Sequence, residues 1–207
     1  MKQPPHDVTA ERVDAVRNRA RLLDAATRLV ADRGVEHLTM DEVAREAGVG
    51  KGTLFRRFGD RDGLLLTLID DVEAQFHGAY TSGPPPLGPG ASPGDRLTAF
   101  GCALIERVAD GTDLGPALGR QIPCDRRHTS HYGQAFHHHV SSLLKEAGID
   151  GDHDMLAHAL LAFVNLETLD YLRNDPQVTT ERLRRSWADL VRRVTGIADA
   201  EGLQAAP

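Results

Sequence analysis

Long apolar runs are missing from this chain. No segment approaches 18 uninterrupted apolar residues and no apolar h-region opens the sequence, so neither a membrane span nor a secretory leader is expected. Two cysteines, Cys102 and Cys124, are too few for a disulfide framework, and neither sits beside an evident activating group in the sequence. A reducing cytoplasm is the expected location. Alternating apolar and polar residues over a strand's length are lacking too, as are internal repeats, so the expected fold class is all-α. Lysine is nearly absent, with only Lys2, Lys51 and Lys145 among 24 cations. The chain also lacks an excess of positive charge: its 207 residues sum to −6. That balance excludes a protein that coats nucleic acid indiscriminately.

The distribution of charge says more than the sum. Residues 12–70 carry eleven Lys/Arg against ten Asp/Glu, whereas residues 71–207 carry twelve against eighteen. Within 45–61 five cations (Arg45, Lys51, Arg56, Arg57, Arg61) face two acids. A small basic head on an acidic body suits recognition of a chosen site.

That head has an internal logic. Thr39 and Glu42 have capping-box spacing, in which each side chain satisfies a backbone N–H at a helix start. Val43, Ala44 and Ala47 give the helix one apolar face, and Gly48 supplies the left-handed residue that ends it. In the next helix Leu54 and Phe58, four apart, point inward. Lys51, Gly52, Phe55 and Arg56 take the opposite face, flanked by Thr53 and Arg57. Two short helices joined by a tight turn form a helix-turn-helix, whose second helix fits a duplex major groove.

Around it the pattern predicts a loose tail at 1–11 and a helix at 12–33 with Val16, Leu22, Leu23, Ala26, Leu29 and Val30 inward. The DNA-binding domain is placed at 12–59. A connecting helix at 60–80 is capped by Asp60 and holds Gly63 at a cost of up to ~1 kcal/mol relative to alanine. A Pro/Gly linker spans 81–94, a helical domain 95–197, and a second tail 198–207. In that domain Ser92 caps a helix to about 108, followed by helices near 113–121, 129–147, 153–174 and 180–195. Residues 155–166 are apolar almost all round, which predicts burial on two sides. Leu183, Trp187, Leu190 and Val194 form a seam at i, i+4, i+7, i+11. Both features point to a homodimer contact made by the last two helices.

A mostly apolar cavity for a small molecule is expected among the helices at 95–108, 129–147 and 153–174, lined by Phe100, Leu104, Phe136, Phe163 and Leu166. His131, His158 and Asn165 are its candidate polar groups. The acidic balance favours a neutral or cationic, partly aromatic ligand, with Arg107 or Arg120 as local offsets. Seven of the ten histidines lie between 128 and 158. His128 and His131 could share a helix face, yet no cysteine or carboxylate joins them at a metal-motif spacing. No metal, cofactor or catalytic residue is therefore assigned. A small α-helical enzyme or a metal-binding protein using the carboxy-terminal cavity is the alternative.

The run Leu38-Thr-Met-Asp-Glu-Val-Ala-Arg-Glu-Ala-Gly-Val-Gly-Lys-Gly-Thr-Leu-Phe-Arg-Arg-Phe-Gly-Asp-Arg-Asp-Gly-Leu-Leu65, preceded by Leu22-Leu-Asp-Ala-Ala26 and Arg33-Gly34, resembles the TetR family of bacterial transcriptional regulators. The linker and Ser186–Val194 look like those of actinobacterial members. The resemblance implies a cytoplasmic bacterial repressor, a homodimer reading a palindromic operator in double-stranded DNA and released by a small molecule. It implies phosphate contact by Thr39, base and phosphate contact by Lys51, Gly52 and Thr53, base or backbone contact by Arg56 and Arg57, and phosphate contact by Arg61. Phe55 stands where the family usually has tyrosine, which removes a phosphate hydrogen bond and keeps an apolar contact. Gly50 stands where a serine or threonine cap is usual, a loss of a few tenths of a kcal/mol.

Overall fold

The computed structural model describes residues 8–111 and 113–196. Most of the tail predicted at 1–11, all of that at 198–207, and the side chain of Val16 lie outside the described residues. Among the described residues eleven α-helices and one 3-10 turn follow one another, and there is no β-sheet. The fold is all-α. The chain divides into two compact units, residues 1–68 and 69–207, so the boundary falls inside a helix.

The first unit holds α1 (Val8–Arg33), a 3-10 turn (Val35–His37), α2 (Met40–Ala47), α3 (Lys51–Phe58) and the start of α4 (Arg61–Ser82). Its helix ends are set locally. Gly34 stops α1 at φ 85°, and Gly48 ends α2 at φ 65°, ψ 35°. Thr39 caps α2, its hydroxyl accepting from the Glu42 N–H at 3.3 Å. The other half of the expected box is rearranged: the Glu42 carboxylate accepts from the Thr39 hydroxyl at 2.8 Å and from Arg33 at 3.0 Å. Leu22, Val43, Leu54, Leu64 and Leu65 are fully buried, each contributing ~1.5–3 kcal/mol over an exposed position. Asp60 caps α4 through the Gly63 N–H at 2.7 Å. Gly63 is no mere weakness of that helix. A Cβ there would lie 2.0 Å from the Phe58 carbonyl oxygen, so glycine lets α3 and α4 join closely.

The second unit contains the rest of α4, then α5 (Pro93–Ala109), α6 (Leu114–Gly119), α7 (Cys124–His128), α8 (His131–Glu146), α9 (His153–Phe163), α10 (Leu166–Arg173) and α11 (Thr180–Thr195). The stretch expected to be a linker belongs to this unit: Leu87 packs on its core, and a Cβ on Gly88 would strike the Gly83 carbonyl oxygen at 1.9 Å. Ser92 caps α5 as predicted. The short, polar α7 was not anticipated.

Two expectations fail here for identifiable reasons. The single helix predicted over 153–174 breaks at Val164, because Asn165 turns its side-chain oxygen onto the Thr168 N–H at 2.7 Å and starts α10. The dimer seam is covered from within the chain. Leu183 and Trp187 are buried against α5, the indole Nε1 donating to the carbonyls of Thr98 at 3.0 Å and Leu97 at 3.2 Å. A Cβ on Gly101 would lie 1.9 Å from the Trp187 ring, so that glycine is the indole's seat. Leu190 and Val194 are half-buried on the same core. The α9 helix is likewise covered on one side only: Ala157 and Leu160 are buried, while Met155, Ala159 and Ala162 are exposed.

Candidate nucleic-acid interface and cavity

In the first unit, α2 and the α1 core hold α3 by Leu54, which is fully buried, and by half-buried Phe58. The outward face follows from that anchoring. Lys51, Gly52, Phe55, Arg56 and Arg57 are exposed, Thr53 is half-buried beside them, and Thr39 is exposed at the start of α2. Phe55 keeps 45% of its surface in solvent, an unusual position for a large apolar ring without a partner. Lys51 Nζ lies 2.5 Å from Asp41 across the turn, with both side chains more than half exposed. Such a pair is worth under ~1 kcal/mol and yields readily to a phosphate. Among the described residues no carboxylate lies in ion-pair reach of Arg56 or Arg57.

Arg61 is placed differently from the phosphate contact expected of it. Its guanidinium donates to the carbonyls of Val35 at 2.7 Å and Leu38 at 2.9 Å, and the side chain is half-buried. It braces the turn that leads into α2.

The second unit holds a half-open cavity of about 130 Å³. Four predicted residues line it: Leu104, Phe136, Asn165 and Leu166. The other four do not. Phe100 is fully buried in the aromatic core, stacked on Phe76 at 5.6 Å. Phe163 packs against Trp187. His131 is exposed and lines an adjoining cavity of about 170 Å³ that shares Glu73, Tyr132 and Phe136 with the first, and exposed His158 pairs with His137 instead. His128 and His131 fall on different helices, α7 and α8. Cys124 does have a neighbour: its Sγ lies 3.3 Å from His128 Nδ1.

The polar part of the cavity was only partly foreseen. Arg107 donates to Glu73 at 2.6 and 2.8 Å and to Asp113 at 2.7 Å, with its guanidinium 4.7 Å above the Phe76 ring. Burial opposes its charge, but the hydrogen bonds to Glu73 and Asp113 outweigh that and raise its pKa. Arg127, also buried, donates to the Gly119 and Ile122 carbonyls and to Glu167. Arg120, the other cation proposed as an offset, pairs with Asp170 at 2.8 Å and does not line the cavity. Tyr132 completes the wall, and burial raises its pKa. Glu73 interrupts the apolar stripe Ile69, Phe76, Tyr80 of α4, and Arg107 sits beside Leu104 and Val108 on α5. Charges at core-facing positions were the available signal. With Asp113 and Glu167 behind them, the two arginines leave no positive excess at the wall.

Residues 22–68 match the family model described as bacterial regulatory proteins, tetR family. A Staphylococcus aureus HTH-type transcriptional regulator is 41% identical over 58 residues, 28% of this chain and 31% of the relative, so the match spans about a third of that protein's length. Mycobacterium smegmatis BioQ superposes with a TM-score of 0.62 at 22% identity, covering 86% of this chain and 97% of BioQ. The Bacillus subtilis transcriptional regulator FadR, solved with stearoyl-CoA, gives 0.58 at 17% identity, covering 87% and 100%. Residues 22–68 thus carry the amino-terminal domain of the TetR family of bacterial regulatory proteins, and the chain as a whole shares its fold with solved regulators.

Proposed function

We propose that the chain is a cytoplasmic, ligand-responsive transcriptional repressor, a homodimer that binds a palindromic operator and leaves it when a small molecule occupies the second unit. The observation that carries this reading is the solvent-facing row Lys51, Gly52, Phe55, Arg56 and Arg57 on a helix anchored by buried Leu54. Lys51, Thr53 and Arg56 approach base edges and phosphates, Phe55 lies against a thymine methyl or sugar, and Thr39 and Arg57 hold the backbone. Arg61 supports these contacts by holding the Val35–Leu38 turn and touches phosphate only through donors left over. Regulation, rather than catalysis, is the role of the cavity.

The dimer uses the surface that the single chain leaves apolar: Met155, 61% exposed, with Ala159 and Ala162 on α9, and Tyr171, 76% exposed, on α10. The effector lies against Leu104, Phe136, Leu161 and Leu166, with Tyr132 and Asn165 orienting it. A wall whose arginines are already neutralised favours a neutral or cationic molecule with a large apolar part. Helix α4 carries both Arg61 and Glu73, so an effector that prefers one position of Glu73 favours one position of α4.

Sequencing the DNA retained by the purified protein, followed by fluorescence anisotropy on the recovered site, tests the proposal. A palindromic site released by an apolar metabolite is expected. Failure of Arg56→Ala and Arg57→Ala together to weaken binding refutes the assigned face. Release by polyanions alone refutes the effector class.

A further inference from the structure

Outside the cavity lining, three side chains from two helices converge. His137 of α8 and Asp154 and His158 of α9 each offer a ligand atom, all within 4.8 Å of one another. The two imidazole rings lie 4.2 Å apart at 37°, and His137 Nε2 is 3.4 Å from Asp154 Oδ1 and 3.2 Å from the Asp154 carbonyl oxygen. Asp154 and His158 are four apart, hence neighbours on α9, and the packing of α9 on α8 brings His137 to them.

We propose that these residues form a divalent transition-metal site that clips α8 to α9. Two imidazoles and one carboxylate suit zinc, cobalt or nickel, whereas magnesium and calcium prefer oxygen ligands throughout. Three protein ligands leave a coordination position for water. Tetrahedral zinc with bonds of about 2.0–2.1 Å sets its ligands about 3.4 Å apart, the present spacing of His137 and Asp154, so the widest separation closes by at most about 1.4 Å. Exposed Asp154 and His158 can supply that movement by rotamer change. A metal bound at His137 Nε2 replaces the contact that this atom now makes with Asp154.

The clip has a consequence for the cavity nearby. Phe136, adjacent to His137 on α8, and Leu161, three residues beyond His158 on α9, both line it. Metal binding therefore fixes two of its walls against each other, and the site acts as a second, ionic input to the same unit.

The test uses the full chain without an affinity tag, stripped by a chelator and titrated with zinc in equilibrium dialysis and with cobalt by visible absorption. One ion per chain is expected, with a melting temperature raised by about 5–10 °C at zinc a hundredfold above its dissociation constant. Asp154→Asn and His158→Ala should each weaken binding about tenfold or more. His138→Ala, exposed one position along α8, should leave it unchanged. Absence of stoichiometric binding by the unaltered chain overturns the proposal, as does unaltered affinity in the His137→Ala, His158→Ala double variant. Asp154→Asn keeps the side chain's shape at an exposed position, so its affinity decides the matter even if the histidine variants unfold.

Discussion

The two units use charge in opposite ways. In the first, the cations that matter are exposed and loosely held: Lys51 shares Asp41 in open solvent, and Arg56 and Arg57 stand on the outward face of α3. In the second, Arg107 and Arg127 are withdrawn from solvent and committed to carboxylates and carbonyls. Desolvation makes the difference. An exposed pair contributes under ~1 kcal/mol and can exchange one anion for another. A buried pair is costly to break, because removing one partner strands the other in a poor solvent. The first arrangement leaves its cations free to exchange partners, and the second is a fixed wall.

The largest expected effect lies in that wall. Arg107→Met keeps the aliphatic stem but takes the guanidinium from over Phe76 and leaves buried Glu73 and half-buried Asp113 without their cation. We expect a loss of about 3–5 kcal/mol, measured by urea unfolding. A loss below ~1 kcal/mol would mean that this network behaves like a surface pair, and the contrast between the units would collapse.

His139 sharpens the contrast through pH. Burial first, then the nearby charges of Arg96, His138 and His77, lower its pKa to about 4. Its Nε2 is buried and has no hydrogen-bond partner among the described residues. The unfolded chain takes up the proton first, near the ordinary histidine value of 6.5, so the folded state loses stability as pH falls from there to about 4. The neutral side chain's contribution, on the order of 3 kcal/mol over that window, is fully present above about pH 6.5. His139→Leu should flatten this part of the curve in denaturation series at pH 7, 6, 5 and 4.5. An unchanged slope would show that His139 is not the group responsible.

The same division separates what the sequence discloses from what it withholds. Thr39, Gly48, Asp60 and Ser92 mark helix ends through contacts within a few residues, so their spacing suffices to place them. The exposed row on α3 follows from the spacing of Leu54 and Phe58. Trp187 is different: its periodicity says that α11 has an apolar stripe but not which helix covers it. The answer depends on Gly101, 86 positions earlier, whose missing side chain makes the indole's seat. Asn165 was legible as a polar residue in an apolar run, yet that pattern suits a buried amide and a helix cap equally well. Glu73 lies 34 positions before Arg107, and only folding shows that it shares the one guanidinium with Asp113.

On the first unit's exposed face, effects should fall on binding rather than stability. Lys51→Ala or Arg56→Ala should weaken specific DNA binding by ~1–3 kcal/mol with unfolding unchanged within ~0.5 kcal/mol. Arg61→Ala should instead cost ~1–3 kcal/mol of stability, since it removes charged donors from the Val35 and Leu38 carbonyls. Its salt dependence separates the two roles. A slope lower by about one means that a spare Arg61 donor meets phosphate, and an unchanged slope means bracing alone.

The smallest expected effect tests the comparison most closely. Asp41 holds Lys51 at 2.5 Å, but both side chains lie largely in solvent, where water and salt screen the attraction. Asp41→Asn removes the charge while keeping the shape. If exposed pairs are interchangeable, unfolding should shift by less than ~0.5 kcal/mol, and operator affinity should rise by no more than about fivefold because Lys51 no longer exchanges one carboxylate for a phosphate. The gain should shrink as salt is added, since the variant also removes a negative charge from a surface facing DNA. Anisotropy titrations at two ionic strengths measure all of this. A fall in affinity would show that Asp41 orients Lys51 for its contact, and the first unit would then depend on a fixed ion pair as the second does.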